Sequence, residues 1–182
     1  MQFIKTNIPD VFIIEPKVFG DDRGYIFESF NQKEFEKHVG QINFIQDNES
    51  KSSKGMLRGL HFQKPTYTQS KLLRCIEGKV LDVIVDLRQD SSIYKQSLSI
   101  VLSGENKKQI FVPKRFAHGF LVLSDTATIA YKVDENYAPD LDSGIAWNDE
   151  GINIDWGVDP EDIQLSEKDK CLKPLSEIIN LF

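Results

Sequence analysis

Lys71-Leu72-Leu73-Arg74-Cys75-Ile76, then Glu77-Gly78, then Lys79-Val80-Leu81-Asp82-Val83-Ile84-Val85-Asp86-Leu87 decide the fold class. Two strand-like runs rich in branched aliphatic residues are joined by two residues, and Gly78 suits the tight connection. On the second run Leu81, Val83, Val85 and Leu87 form an apolar parity. Val80, Asp82, Ile84 and Asp86 form the other. One face therefore packs, and the other meets a partly polar cavity or water. Acids turned inward would need partners, whereas acids on a solvated face would not. The strand alone leaves both readings open.

The same pattern repeats on either side. Val11–Ile14, Tyr25–Phe30, Ile42–Gln46, Leu57–Gln63, Ser97–Leu102 and Gln109–Val112 read as strands. Gly119–Leu123 and Thr126–Val133 read as a hairpin around Ser124-Asp125. Turns are expected at Asp21-Asp22-Arg23-Gly24 and Ser103-Gly104-Glu105-Asn106. One internal helix is predicted over Asn31–Val39, with Asn31 as its cap, Phe35 and Val39 on one side, and Gly40 at its end. A second short helix is expected between Pro174 and Leu181, with Leu175, Ile178 and Ile179 on one face. Many short strands without βαβ alternation imply a mainly β, antiparallel sandwich or barrel. The 182 residues fit one domain, 1–182, with a short helical tail.

Forty per cent hydrophobic residues are enough for a packed core, and a formal charge of -6 argues against a nucleic-acid surface. A few local cations could still hold a small anion. Cys75 and Cys171 form no metal-spaced motif and no disulfide framework, so reduced thiols and a cytoplasmic setting are expected. The start of the chain shows no signal-peptide pattern, and no apolar run approaches the roughly 20 residues of a membrane helix.

The chemistry concentrates in Leu57-Arg58-Gly59-Leu60-His61-Phe62-Gln63, with Lys71 close behind. There is no G-x-G-x-x-G after a strand, no P-loop and no G-x-S-x-G, and Cys75 lies inside an apolar strand pattern. For a metal, His61 lacks a second His two positions on. His118 lies far downstream, although two histidines and a carboxylate could still meet in space. What remains is acid–base chemistry by side chains. His61 is the candidate base, Tyr131 the acid, Lys71 the charge for an enolate oxygen, and Asp169 the group that orients the imidazole. Each also has a bland reading: a strand His bonded locally, or a tyrosine in the core. Arg58 and His61 have opposite strand parity, and a bulge at Gly59 would bring them to one face.

These residues stand in a longer series: Phe19-Gly20-Asp21-Asp22-Arg23-Gly24, Phe27-Glu28-Ser29, Gln46-Asp47-Asn48, Lys71-Leu72-Leu73-Arg74-Cys75, Val112-Pro113, Phe116-Ala117-His118-Gly119-Phe120, Tyr131-Lys132, Trp147-Asn148-Asp149 and Leu165-Ser166-Glu167-Lys168-Asp169. Over essentially its whole length the chain resembles the dTDP-4-dehydrorhamnose 3,5-epimerase family. The resemblance implies a cupin-type jelly roll, a homodimer, no metal and no organic cofactor. It implies epimerisation of a dTDP-linked 4-keto-6-deoxy sugar at carbons 3 and 5, with His61 as base, Asp169 its dyad partner, Tyr131 the opposed acid and Lys71 near the keto oxygen. Arg23, Glu28, Gln46, Asp47, Asn48, Arg58, His118 and Lys168 match nucleotide- or sugar-contacting positions. Asp142 stands where family members often carry Glu, which shortens the reach of that contact. Three other readings share this fold: a single-carbon epimerase or 3,4-ketoisomerase, a sugar-nucleotide binder without catalysis, and a metal-dependent oxygenase.

Overall fold

The structure of the chain, a computed structural model, describes residues 1–178 and 181–182. In chain order these form β1 (Gln2–Lys5), β2 (Phe12–Glu15), β3 (Phe19–Asp21), β4 (Gly24–Ile26), helix α1 (Gln32–His38), β5 (Gln46–Ser53), β6 (Leu57–Gln63), β7 (Lys71–Glu77), β8 (Lys79–Asp86), β9 (Ser97–Ser103), β10 (Gln109–Val112), β11 (Phe116–Val122), β12 (Thr126–Val133), β13 (Asp142–Gly144) and helix α2 (Glu167–Lys170). One sheet runs β1-β2-β10-β7-β12-β5 and the other β13-β6-β11-β8-β9, while β3 and β4 pair apart as a two-stranded ribbon. All pairings between these strands are antiparallel. The architecture is the expected cupin-type jelly roll. Among the described residues no helix is long and apolar enough to cross a membrane.

The tight connections turn corners between the sheets. β7 belongs to the first sheet and β8 to the second, so the chain crosses at Gly78; it crosses again between β5 and β6, β9 and β10, and β11 and β12. The expected hairpin around Ser124-Asp125 is therefore a corner. β12 pairs with β5 and β7, while β11 pairs with β6 and β8. Local turn chemistry is the same for a hairpin and a corner; the long-range partners decide between them. The corners lock one another at one end of the sandwich. Lys79 N donates to Ser124 Oγ at 2.8 Å, Gly104 N to Gly78 O at 2.9 Å and Lys54 N to Asp125 O at 2.9 Å. Gly78 has φ +78°, and a Cβ there would collide with the Thr126 carbonyl.

Three apolar layers follow from strand parity. Val80 and Ile84 of β8 join Leu73, Ile110, Phe120 and Ile129 between the sheets. Val83, Val85 and Leu87, the apolar parity, pack outward beneath Trp156, Leu175 and Leu181 of the C-terminal region. On the far face α1 lays Phe35 against Ile14, Leu72 and Phe111, with Phe30 and Phe44 tilted or edge-on at 5.6 and 5.4 Å. Each such aliphatic or aromatic burial contributes about 1.5–3 kcal/mol. Asn31 Oδ1 accepts from Glu34 N at 3.2 Å, the expected cap, worth about 1 kcal/mol.

Two expected strands are corrected. β4 ends at Ile26, and Phe27 to Phe30 is irregular because Phe30 turns into the α1 cluster. Ile42 to Ile45 is irregular too: Ile42 and Phe44 alternate because they pack on Phe35. The strand runs on from Gln46 to Ser53, a polar edge whose sole neighbour is β12. In the tail only Leu175–Glu177 forms a 3-10 turn, and Ile179 lies outside the described residues.

Candidate active site

The site begins with a register fault. On β6 and β11, His61 faces His118 and Arg58 faces Phe120. Two β6 residues, Gly59 and Leu60, thus oppose the single Gly119, which is the bulge that the parity problem required. Gly59 adopts φ +137°, and a Cβ there would sit 2.5 Å from Gly119 Cα. Backbone freedom and close approach both call for glycine. The shift brings Arg58 and His61 to one cavity.

Two walls face each other across that cavity. Arg58 and His61 of β6 and His118 and Phe120 of β11 come from the five-stranded sheet. Ser50 of β5, Lys71 and Leu73 of β7 and Tyr131 of β12 come from the six-stranded sheet. The candidate base and the candidate acid therefore line one chamber from opposite sides.

His61 Nε2 lies 2.6 Å from Asp169 Oδ1. Asp169 is held by α2, whose cap Ser166 accepts from the Asp169 amide at 3.1 Å. Burial would raise this carboxyl, but hydrogen bonding and charge from His61, with help from Ser166 and the Gly59 amide, hold it below the usual carboxylate range. An ionised Asp169 only accepts, so Nε2 carries the hydrogen and Nδ1 the basic lone pair. Burial pushes the Tyr131 phenol up, against the nearby positive charge of Arg58, so it stays protonated at neutral pH. Burial pushes the Lys71 ammonium down to about 8, countered by Asp142 and Asp82.

Other residues singled out by the sequence lie around the cavity or away from it. Gln46 and Asn48 share the β5 parity of Ser50, with Gln46 Nε2 donating to Asn48 Oδ1 at 2.7 Å. Asp47 has the opposite parity and takes Lys132 Nζ at 2.8 Å, outside the cavity. Asp142, on the edge strand β13 opposite Gln63, forms an ion pair with Lys168 and accepts from Tyr137 Oη at 2.8 Å. Arg23 and Glu28 line no part of the cavity. Arg23 turns back to Asp21 and Glu28 accepts from Asn31 at 3.1 Å. Asp149 of the Trp147-Asn148-Asp149 motif pins the tail through the Leu175 amide at 2.5 Å.

Tyr137 and Asp82, which bond to candidate site residues Asp142 and His118, escaped the sequence reading in that role. Tyr137 is exposed in an irregular segment and carries no periodic signal. Asp82 did carry one, as an acid on the inward parity of β8. Its Oδ2 lies 2.9 Å from His118 Nε2. Each cavity histidine thus has its own carboxylate. Among the described residues no group of three or more His, Cys, Asp or Glu side chains is arranged to hold a metal ion.

The family model described as dTDP-4-dehydrorhamnose 3,5-epimerase matches residues 5–177. A protein of that name from Escherichia coli (strain K12) is 52% identical over 182 residues, covering 100% of this chain and 98% of the relative. The crystal structure of a dTDP-4-dehydrorhamnose 3,5-epimerase from Elizabethkingia anophelis NUHP1 superposes with a TM-score of 0.93 at 47% identity, covering 97% of each chain. A Legionella pneumophila Philadelphia 1 dTDP-6-deoxy-D-glucose-3,5-epimerase, in complex with dTDP-4-keto-L-rhamnose, superposes with a TM-score of 0.94 at 46% identity, covering 98% of this chain and 94% of that one.

Proposed function

This chain belongs to the dTDP-4-dehydrorhamnose 3,5-epimerase family, and we propose on that premise that it inverts carbons 3 and 5 of dTDP-4-dehydro-6-deoxy-D-glucose to give dTDP-4-dehydro-L-rhamnose. The observation that carries the reading is the placement of His61 and Tyr131 on facing sheets of one cavity. A ketone acidifies the hydrogens on both flanking carbons. His61 Nδ1 takes one of them, while Asp169 stabilises the imidazolium that forms. The electron pair moves onto the keto oxygen, where the Lys71 ammonium balances it. Tyr131 Oη returns a proton to the opposite face of the same carbon, which inverts it. His61 then gives its proton to solvent and Tyr131 takes one back, and repetition at the second carbon completes an isomerisation with no net redox change. Arg58 and Lys168 are suited to the diphosphate.

The substrate class is supported by the Legionella relative, whose bound ligand is a dTDP-linked keto sugar. A homodimer would complete the site. The β3–β4 ribbon exposes Val18, Phe19, Tyr25 and Ile26 around Arg23, and such a patch suits a second copy of this chain. From there Arg23 and Glu28 would reach the partner's cavity.

The test is solvent deuterium exchange. With the unsubstituted protein in D2O, NMR of the product shows deuterium and inversion at carbons 3 and 5. Inversion at one carbon alone would move the assignment to a single-carbon epimerase, and a 3-keto product to a ketoisomerase. His61→Ala abolishes exchange at both carbons while the fold persists; normal exchange in that variant removes His61 from the mechanism.

A further inference from the structure

Asp82 is a buried carboxylate that stands behind a histidine of the cavity wall, and the mechanism above leaves it idle. It sits at the centre of β8, fully buried, on the parity that faces between the sheets. His118 pairs with Ile84 across β8 and β11, which makes Asp82 its diagonal neighbour on the same face. One carboxylate oxygen, Oδ2, meets His118 Nε2 at 2.9 Å. The other, Oδ1, is buried with no hydrogen-bond partner among the described residues. A half-satisfied buried carboxylate costs stability that an apolar residue would not, so packing does not explain it. His118 itself lines the cavity and stands directly opposite His61 in the β6–β11 register. The arrangement repeats the His61–Asp169 pair one strand over.

We propose that Asp82 is a positioning residue: by accepting from His118 Nε2 it fixes the tautomer of that imidazole and turns Nδ1 into the cavity, where His118 meets the sugar beside His61. His118 touches the substrate, and Asp82 acts through it. Asp82 also lies near enough to Lys71 to counter, after Asp142, the burial that pushes its ammonium down. This inference rests on the epimerisation proposed above.

The test is Asp82→Asn, an isosteric change that lets the amide present either a donor or an acceptor to His118. Turnover of dTDP-4-dehydro-6-deoxy-D-glucose by the unsubstituted protein is measured first. Its absence would overturn the epimerase reading but leave the spectroscopic test standing. For Asp82→Asn, kcat falls by about 100-fold or more while KM stays within about threefold, as when the wrong tautomer is held in otherwise intact geometry. The thermal midpoint changes little, because Asn keeps the volume and still reaches His118 with one hydrogen bond. Ring-nitrogen NMR of labelled histidine shows His118 as the Nε2–H tautomer in the unsubstituted protein and as a mixture in the variant. A kcat within threefold of the original overturns the proposal. So does a loss of activity that tracks a lowered midpoint with the tautomer pattern unchanged. If the variant does not fold, the unsubstituted protein's spectrum decides: an Nδ1–H pattern at His118 overturns the proposal.

Discussion

The central cavity and the β3–β4 ribbon both carry residues that the sequence singles out, yet they are built in opposite ways. In the cavity each histidine is held by a carboxylate behind it. Asp169 stands behind His61, Asp82 behind His118, and the Gly59 bulge sets the faces on which Arg58 and His61 emerge. On the ribbon Arg23 has, among the described residues, only Asp21, two residues away, and the surrounding apolar side chains lie open. The cavity's geometry is thus a product of this chain's own core, and the proposed dimer would leave the ribbon's geometry to a second copy. The two regions should respond to substitution in different currencies: rate for the cavity, assembly and affinity for the ribbon.

The sharpest way to break this contrast is Asp169→Asn. Without the charge the His61 tautomer is no longer fixed, and kcat should fall roughly 10²–10⁴-fold with little change in KM. A steady-state assay showing only a few-fold loss would mean that the cavity is not organised by its carboxylates. Lys71→Met comes next, with a loss of about 10²–10³-fold for a missing enolate partner. The pH profile sharpens the point. The Lys71 ammonium is held near 8, so its charge is lost as pH rises through that value, and kcat should decline above it. Lys71→Arg, which stays charged, should move that alkaline limb upward. An unchanged limb in the arginine variant would assign the titration to another group.

Gly59→Ala tests whether the backbone fault matters as much as the side chains. A positive φ and a Cβ 2.5 Å from Gly119 Cα together cost about 2–4 kcal/mol, readable in a denaturant melt. A melt unchanged from the original would show that the bulge tolerates a side chain. The ribbon gives the smallest rate effect. Ile26→Asp should leave the fold intact, convert dimer to monomer in light scattering, and raise KM more than it lowers kcat. A variant that remains dimeric with unaltered KM would detach the ribbon from the site.

Legibility in the sequence followed burial. β8 was readable as a strand because both its parities are specified by what they pack against, but whether its acids turn inward was open until the fold set Asp82 behind His118. Helix α1 was readable from its cap, Phe35 and Gly40. β5 was not, because Gln46 to Ser53 is a polar edge strand whose place is set by β12 alone. The alternating Ile42 and Phe44 drew the strand four residues too early, since packing on a helix can mimic sheet periodicity. The Ser124-Asp125 corner was misread as a hairpin because turn chemistry does not encode which sheet the next strand joins. For the site, the sequence proposed the His61, Asp169, Tyr131 and Lys71 set and the need for a bulge at Gly59. Strand parity placed Asp47 outside the cavity, a distinction available from alternation only once β5 is known to be a strand. Tyr137 had no signal at all, being exposed in an irregular segment and tied to Asp142 by a contact that only the fold creates.

The most direct test is a crystal structure of the protein with a dTDP-linked 4-keto sugar. It should place the hexose flat between the sheets, with His61 Nδ1 against one face of carbons 3 and 5, Tyr131 Oη against the other, and the keto oxygen turned toward Lys71. A hexose with both groups on the same face, or one bound outside this cavity, would contradict the account.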